Sequence, residues 1–424
     1  MSQATESGSP EVLDPAALAV EAKRVYDICA GCRRCYNLCP SFTYLLDTAD
    51  ERHDGDGAAL SPEEDRRVVD LCFGCQLCYP HCPYTPPHRW ALDFPRLMLH
   101  SRVHRAAAEG LTLRDRVLGN PELLGRLGSA VPWLANWANR RRPVRWAMER
   151  FLGIDRRRRL PRYASRFSRW FRRQTAPPGV GRNGKAALFY TTPVEFTAPE
   201  TGRAAVQVLW RNGVEVVCPD QVCCGMPALD GGDVKGATRR ARRNIESLGR
   251  AVDAGCDIVV PGPTCSRMLK QEYGRLVPGD ATERVVSRVY DLAEYLMRLG
   301  AEGRLDRDFK ASLGKVAYQV PCHLRVQEIG FKSRDLLRLV PGTQVDLLER
   351  CTGMDGTWGF KREFYEESCK VARPLLRDLE ASAPDLVVSD CPLAALQMEQ
   401  ASGRRVYHPV EAFLAAYEGR PPAR

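Results

Sequence analysis

The most restrictive feature of the chain is a cysteine motif that occurs twice near its start. The spacing is C-x2-C-x2-C-x3-C-P, and the cysteines of the two copies are Cys29, Cys32, Cys35 and Cys39, then Cys72, Cys75, Cys78 and Cys82. Every cysteine of the first copy recurs 43 residues later. This internal duplication predicts two equivalent sites within one small domain.

The motif has the spacing of bacterial proteins that hold two [4Fe–4S] clusters. Three thiolates at intervals of three wrap one cluster, while the fourth, kept out of the helix by proline, reaches the neighbouring cluster. The predicted metal ligands are therefore Cys29, Cys32, Cys35 with Cys82, and Cys72, Cys75, Cys78 with Cys39. Two four-cysteine zinc sites are the alternative, but zinc needs only separated pairs of cysteines.

The cysteine content also bears on where the protein works. The chain has 424 residues and 17 cysteines, with 44% hydrophobic and 27% charged residues. These values disfavour a small disulfide scaffold, a disordered chain, a collagen-like repeat and a coiled-coil rod. The polar start resembles no signal peptide, and the sequence has no run of about 18 apolar residues. We therefore expect a cytoplasmic protein with reduced thiols.

Each copy of the motif follows a predicted helix. Asp14-Pro15 predicts the start of one helix, and Ser61-Pro62 with Glu64 predicts a capping box at the start of the other. Because the sequence between the motifs has little β character, residues 15–105 are predicted to form an α-helical ferredoxin domain with two 4Fe-4S clusters. Residues 1–14 are small, polar and acidic, and are predicted to be a disordered tail.

Residues 106–180 are predicted to be a basic helical segment and linker. Between Leu111 and Thr175 the chain has 17 arginines, no lysine, four acidic residues and four of its seven tryptophans. A Pro-Pro-Gly sequence at 177–179 marks the linker. The positive charge would attract nucleic acid, but no recognisable nucleic-acid motif accompanies it, so we expect no nucleic-acid partner.

One stretch of this segment has the pattern of an amphipathic helix. Over residues 161–173, Tyr163, Phe167, Trp170 and Phe171 fall on one helical face and arginines fall elsewhere. This pattern suits a helix that lies in an anionic membrane surface. A helix that packs on the protein core and exposes its arginines is the alternative.

Beyond the linker, short β-rich runs alternate with helical stretches, which is typical of an α/β domain. The predicted strands are 186–190, 214–217, 258–260, 316–320, 345–348, 386–388 and 406–408, and the clearest helix is 233–254. A second duplication relates 214–265 to 345–391. The predicted fold class is thus α+β multidomain, with the helical domain followed by two duplicated α/β lobes of Cys-Cys-Gly type, residues 181–300 and 301–424.

The lobes carry six further cysteines as candidate cofactor ligands: Cys223, Cys224, Cys265, Cys322, Cys351 and Cys391. Their surroundings are Cys-Cys-Gly-Met-Pro at 223–227, Pro-Thr-Cys-Ser at 263–266, Pro-Cys-His at 321–323 and Gly-Met-Asp-Gly-Thr-Trp-Gly-Phe-Lys at 353–361. With the doubled cluster motif and the basic segment, these sequences resemble the Cys-Cys-Gly family of iron–sulfur proteins. This family includes iron–sulfur subunits of anaerobic glycerol-3-phosphate dehydrogenase, of glycolate and lactate oxidation, and of heterodisulfide reductase.

The lobes depart from the family pattern of a lone Cys, then Cys-Cys-Gly, then C-x2-C. Thr192 and Met268 replace two cysteines of the first lobe, and Thr352 and Ala394 replace two of the second. Two interpretations remain open. A subset of the six cysteines holds an additional iron centre, or they are thiols in a retained scaffold.

The resemblance implies an iron–sulfur subunit that relays electrons between a flavin-dependent dehydrogenase, of glycerol-3-phosphate or 2-hydroxy-acid type, and quinone or another acceptor. It also implies a peripheral position on the cytoplasmic face of the inner membrane. No glycine-rich dinucleotide fingerprint and no convincing catalytic constellation occur, so no catalytic residue is assigned. The alternatives are a heterodisulfide or thiol reductase whose lobes carry the catalytic metal or thiols, and a cluster-bearing docking protein.

Overall fold

The computed structural model describes residues 14–420, and its first domain consists of helices. The predicted tail, apart from Asp14, lies outside the described residues. The helices are α1 (Pro15–Cys32), α2 (Pro40–Arg52), α3 (Pro62–Leu71), α4 (Cys78–His81) and α5 (Phe94–Glu109). The Asp14 side chain accepts hydrogen bonds from two amides of α1, and Ser61 and Glu64 form a reciprocal capping box on α3. Both predicted helix starts are confirmed.

The core of this domain lies between the helices that lead into and out of the two motifs. Val25 of α1, Phe42 and Leu45 of α2 and Val68 of α3 are fully buried. Phe42 stacks on Phe94, with 4.3 Å between the ring centroids. This apolar packing holds the two cysteine motifs side by side.

A chain of short helices connects the first domain to the lobes. They are α6 (Leu113–Leu118), α7 (Pro121–Gly128), α8 (Pro132–Ala138), α9 (Arg142–Leu152) and α10 (Phe167–Phe171). Helix α7 lies directly on the first lobe, because a Cβ at Gly125 would be 2.3 Å from the ring of Phe196. Further along, Arg158 is 1% exposed and donates to Ser368 Oγ at 2.8 Å and to the Gln397 side chain. The segment is therefore fastened to both lobes.

The predicted membrane-facing helix at 161–173 is wrong in both length and orientation. Only Phe167–Phe171 is helical, Phe167 is fully buried, and Trp170 and Phe171 pack against the core of the first lobe. Gly202 makes this contact close, because a Cβ there would be 2.7 Å from the Phe167 ring. The aromatic face of the pattern is thus covered by protein, which is the alternative that the sequence left open.

The first lobe is a four-stranded parallel sheet with helices on both faces. Its strands are β1 (Lys185–Leu188), β2 (Glu215–Val217), β3 (Cys256–Val260) and β4 (Val289–Asp291), in the order β2-β1-β3-β4. Its helices are α11 (Thr192–Phe196), α12 (Pro199–Arg211), α13 (Met226–Asp230), α14 (Val234–Asp253), α15 (Pro263–Arg267), α16 (Tyr273–Leu276), α17 (Asp280–Val286) and α18 (Leu292–Ala301).

The second lobe repeats this arrangement. Its strands are β5 (Lys315–Gln319), β6 (Gln344–Leu348), β7 (Leu386–Ser389) and β8 (Val406–Tyr407), in the order β6-β5-β7-β8. Its helices are α19 (Cys322–Arg325), α20 (Lys332–Arg338), α21 (Tyr365–Ser382), α22 (Pro392–Ser402) and α23 (Pro409–Glu418). Because the two sheets share one strand order, the second duplication and the predicted fold class are confirmed.

The strand order places the cysteines of both lobes at equivalent positions. In each sheet the second and third strands in sequence lie on opposite sides of the first strand, and this reversal creates a crevice at the carboxyl ends of the strands. Cys322 follows β5, Cys351 follows β6 and Cys391 follows β7. In the first lobe, Cys223 and Cys224 follow β2, the counterpart of β6, and Cys265 follows β3, the counterpart of β7. The lobes pack together through one shared apolar core, which includes Leu209 and Phe413.

Candidate metal centres

Four cysteines of the helical domain surround one cavity near the protein surface. We call Cys29, Cys32, Cys35 and Cys82 the outer set, and all four line this cavity together with the apolar side chains of α2. Helix α1 carries Cys29 and Cys32 in its last turn, and Arg33, with φ of 57°, turns the chain toward Cys35. The predicted mixed set is thus brought together, with three members from the first motif and one from the second.

The remaining four motif cysteines surround a second cavity deeper in the molecule. We call Cys39, Cys72, Cys75 and Cys78 the inner set, and they line this cavity with residues of α2, α5 and α13. The loop between Cys72 and Cys78 folds around the cavity through two residues in the left-handed region, Gly74 with φ of 77° and Gln76 with φ of 59°. Each set therefore takes three cysteines from one motif and its fourth cysteine from the other motif. We call this exchange the reciprocal crossover.

The electrostatics of both sets suit a metal cluster. Burial, reinforced by neighbouring thiols, raises the pKa of Cys35 to about 11 and that of Cys39 to about 12. Burial is also the main reason why the pKa values of Cys75 and Cys78 are raised well above the ordinary value for a thiol. Four thiolates this close in an apolar cavity require compensating positive charge, which bound iron supplies. The residues present fit the clusters that the motif predicts.

The cysteines of the first lobe lie together in its interior. Cys223, Cys224 and Cys265 are 6%, 3% and 8% exposed. The Cys224 thiol interacts with the thiols of both other cysteines, and the Cys223 thiol also interacts with the Thr192 hydroxyl. Met268, at the position of the missing closing cysteine, is fully buried. At the two positions where the family pattern has further cysteines, this set therefore meets the side chains of Thr192 and Met268.

The cysteines of the second lobe face a carboxylate that the sequence analysis did not assign. Cys322 Sγ lies 3.5 Å from Asp355 Oδ2, and Asp355 also interacts electrostatically with Cys351 and Cys391. The donor atoms of Cys322, His323 and Asp355 all lie within 4.8 Å of one another. Burial, and the nearby Asp230 carboxylate, raise the pKa of Asp355 to about 7.

The second-lobe site adjoins the inner set. Cys322 and Cys351 pack in one apolar cluster with Cys75 and Trp358. His323 of the second lobe contacts both other parts of the molecule. Its Nε2 is 3.3 Å from the Gly74 carbonyl oxygen of the helical domain, and its Nδ1 is 2.9 Å from the Thr264 hydroxyl of the first lobe. The roles of His323 and Asp355 could not be read from the sequence, because neither residue has a spacing signal of its own.

Within residues 14–420, none of the helices combines the length and the apolar character needed to cross a membrane.

Comparison with known proteins agrees with this architecture. Residues 22–108 match the Fer4-like domain of citrate utilization protein B, and residues 187–270 and 316–399 each match a cysteine-rich domain. The anaerobic glycerol-3-phosphate dehydrogenase subunit designated C, of Escherichia coli strain K12, is 31% identical over 304 residues, which cover 70% of this chain and 76% of that protein.

Shorter similarity extends to proteins named for lactate utilization. Lactate utilization protein A of Bacillus pumilus is 30% identical over 218 residues, 49% of this chain and 87% of that protein. The same protein of Geobacillus kaustophilus is 31% identical over 220 residues, with the same shares of 49% and 87%. The chain thus belongs to the family of iron–sulfur oxidoreductase subunits that includes this Escherichia coli subunit of anaerobic glycerol-3-phosphate dehydrogenase.

Proposed function

We propose that the chain is the electron-relay subunit of a flavin-dependent dehydrogenase complex, with one [4Fe–4S] cluster held by the outer set and one by the inner set. The observation that carries this proposal is the reciprocal crossover, which places four cysteines from two sequence motifs around each cavity. Such clusters, when bound, transfer single electrons at potentials that their surroundings tune.

The chain's own residues support relay more than substrate chemistry. The inner set lies between the outer set and the second-lobe cysteines, because Cys39 contacts both the helical core and the cluster that contains Cys322. The relatives are named for glycerol-3-phosphate dehydrogenase and for lactate utilization. We infer that the hydroxy-acid or glycerol-phosphate chemistry takes place on a flavoprotein partner, and that this chain passes the electrons to quinone or another acceptor.

The second lobe is a candidate for an additional iron centre. Cys322, Cys351 and Cys391 offer three thiols, and the Asp355 carboxylate lies beside them. The first lobe also offers three buried thiols, but the side-chain groups that act on Cys223 and Cys224 are thiols and the Thr192 hydroxyl rather than a carboxylate. We therefore favour the second lobe over the first for any iron beyond the two clusters.

Iron and acid-labile sulfide per chain, measured on anaerobically purified protein, test these assignments. About eight irons per chain would match the two clusters alone, and about twelve would add a centre in the lobes. In the second case, Cys322→Ser should remove the extra iron and Cys224→Ser should not. Zinc in place of iron would overturn the proposal.

The connecting segment supports peripheral membrane association at a different place from the one the sequence predicted. Its large exposed apolar side chains are Leu113, Leu123, Leu127, Val131, Trp133, Leu134, Trp137, Trp146 and Phe151. Trp133 and Phe151 are 72% and 71% exposed, and arginines of α9 lie among these residues. Exposed aromatic side chains beside arginines are typical of surfaces that bind anionic lipid.

A sedimentation assay tests this surface. The holoprotein should sediment with vesicles of phosphatidylglycerol and phosphatidylcholine, and the triple variant Trp133→Ser, Trp137→Ser, Phe151→Ser should remain in solution. Val20→Ser is the matched control, because Val20 is 70% exposed on the helical domain. Equal sedimentation of the triple variant and the parent would contradict a lipid-binding role for this surface.

A further inference from the structure

An open cavity of about 310 Å³ lies beside the inner set, where the helical domain, the connecting segment and the second lobe meet. Its wall includes Cys72, a member of the inner set, and Asp230 and Asp355 from the two lobes. The volume falls within the range of small-molecule sites. Nothing in the relay assigned above uses this space.

One wall of the cavity is aromatic. Phe73, Trp358 and Phe364 line it, and each of these side chains is 6% exposed. Trp358 stacks on Phe364 with 4.8 Å between ring centroids, and Phe73 lies 5.2 Å from Trp358. The same aromatic residues pack against Cys75. A planar ring bound on this wall would therefore lie close to the inner set, whose Cys72 also lines the cavity.

Four of the six basic side chains of the cavity form ion pairs with carboxylates of its wall. Six basic and six acidic side chains line it. The ion pairs among them are Arg105 with Asp70 at 2.6 Å, Arg114 with Glu363 at 2.7 Å, Lys361 with Asp115 at 3.1 Å, and Arg66 with Glu109. Because each of these cations has an anionic partner, the cavity favours a neutral molecule over an anion. Their remaining N–H groups can donate to carbonyl oxygens.

The cavity also adjoins the exposed apolar surface. Thr112 and Arg114 line it, and Leu113 between them is 63% exposed. Leu113 is the first of the exposed apolar residues along the connecting segment, so that segment begins its exposed apolar side chains at the rim of the cavity. An apolar molecule carried by a lipid surface would meet the cavity at this rim.

We propose that this cavity binds a quinone and is the acceptor site of the relay. The inference rests on the proposed function, because the electrons come from the reduced flavoprotein partner. Reduction of the bound ring takes up two electrons and two protons, the protons passing from solvent at the open rim to the two carbonyl oxygens, and yields the quinol. The aromatic wall orients the ring and the paired cations bind its oxygens.

The experiment uses menadione, a naphthoquinone without a lipid tail, and the full-length holoprotein. Thr357 lines the cavity, so Thr357→Trp should fill it, with Thr175→Trp on the exposed linker as the matched control. We expect Thr357→Trp to abolish menadione binding in equilibrium dialysis and to slow reoxidation of the dithionite-reduced protein by menadione about tenfold or more. Oxidation by ferricyanide, which needs no cavity, should be unchanged.

A second variant protects the test against misfolding. Lys361→Met removes one donor from the wall and should weaken menadione binding, whereas Lys235→Met on the exposed surface of α14 should not. Unchanged menadione binding in both cavity variants would overturn the acceptor site. Absence of iron–sulfur signals in the EPR spectrum of the reduced parent protein would instead overturn the proposed function, before any quinone is added.

Discussion

The outer and inner sets share one cysteine spacing but lie in different surroundings. Between the outer cysteines, Arg33, Arg34 and Tyr36 are exposed. Between the inner cysteines, Phe73 is buried and contacts Trp358 of the second lobe. The motif thus determines which cysteines meet, while the packing of the later domains determines which set solvent can approach.

This difference gives the two sets separate tasks under the proposed function. A protein partner can approach the outer set at the exposed loop that carries Arg33 and Arg34. The inner set is enclosed by α5, α13 and the second lobe, so it communicates with the lobes and the cavity. Electrons would enter at the outer set and leave at the inner set.

The largest expected effect tests the crossover on which the comparison depends. Cys82→Ser, although in the second motif, should affect the outer set, and Cys39→Ser, although in the first motif, should affect the inner set. Each variant should lose up to about half of the cluster iron. In EPR of the reduced proteins, the spectrum of Cys82→Ser should resemble that of Cys32→Ser. The spectrum of Cys39→Ser should resemble that of Cys75→Ser. The opposite matching would show that each motif closes its own cluster.

The next largest effect concerns the stability that aromatic side chains near each set contribute. Trp358 is 6% exposed over the inner set, stacks on Phe364 and donates from Nε1 to the Asp70 carbonyl oxygen at 2.9 Å. Trp358→Ala should lower the free energy of unfolding by about 3–5 kcal/mol. Trp90, near the outer set, is 36% exposed, and Trp90→Ala should cost about 1 kcal/mol or less. Denaturant unfolding measures the unfolding free energies of both variants. Equal decreases for Trp358→Ala and Trp90→Ala would contradict the conclusion that protein covers the inner set more than the outer set.

A smaller difference is expected in thiol reactivity of the metal-free protein. The pKa of Cys35 in the outer set is raised to about 11, and that of Cys39 in the inner set to about 12, with burial as the first cause of each. A higher pKa leaves less thiolate, so Cys35 should be alkylated by iodoacetamide up to about tenfold faster than Cys39 at pH 8. Both rates should rise about tenfold per pH unit up to pH 9, since both pKa values lie above this range.

Peptide mass spectrometry of the alkylated chain measures these rates. The urea-unfolded chain is the control, in which the two cysteines should react at similar rates. Faster reaction of Cys39 in the folded metal-free chain would contradict the greater enclosure of the inner set.

The smallest effect concerns the helices that lead into the two motifs. Ser61 caps α3 in a reciprocal box with Glu64, which is 7% exposed, so Ser61→Ala should cost about 1 kcal/mol of unfolding free energy. Asp14 caps α1 at an exposed end, and Asp14→Ala should cost about 0.5 kcal/mol. Thermal unfolding of the two variants compares them, and a greater loss for Asp14→Ala would reverse the expected order.

Much of this architecture could be predicted because it has local causes. The caps at Asp14 and Ser61 are short-range hydrogen bonds, and seven of the eight strands coincide with short apolar or β-rich runs of the sequence. Strand β4, Val289–Asp291, was missed because only two residues separate it from α17 and it runs directly into α18, so its sequence does not stand out from the flanking helices. The helix at 161–173 was wrong because its aromatic pattern fits a membrane and a protein core equally well.

The contacts that complete the candidate sites have no local cause. His323 meets Gly74 across 249 positions of sequence, and Cys322 meets Asp355 across 33. Such contacts depend on how the duplicated lobes close over the helical domain. Sequence spacing therefore suffices to select the cysteines as candidates, and only the fold shows that carboxylates and an imidazole lie beside them.

The burial of Arg158 sets an order on the folding of the chain during its synthesis. Its guanidinium has partners on Ser368 and Gln397, and the second lies 239 residues downstream. At roughly 5–20 residues per second, a ribosome takes about 10–50 seconds to supply that partner after Arg158 itself. Throughout this interval the connecting segment cannot reach its final place, even if the helical domain before it has already folded and acquired its clusters. The last domain to be made thus fixes the connecting segment in its final place.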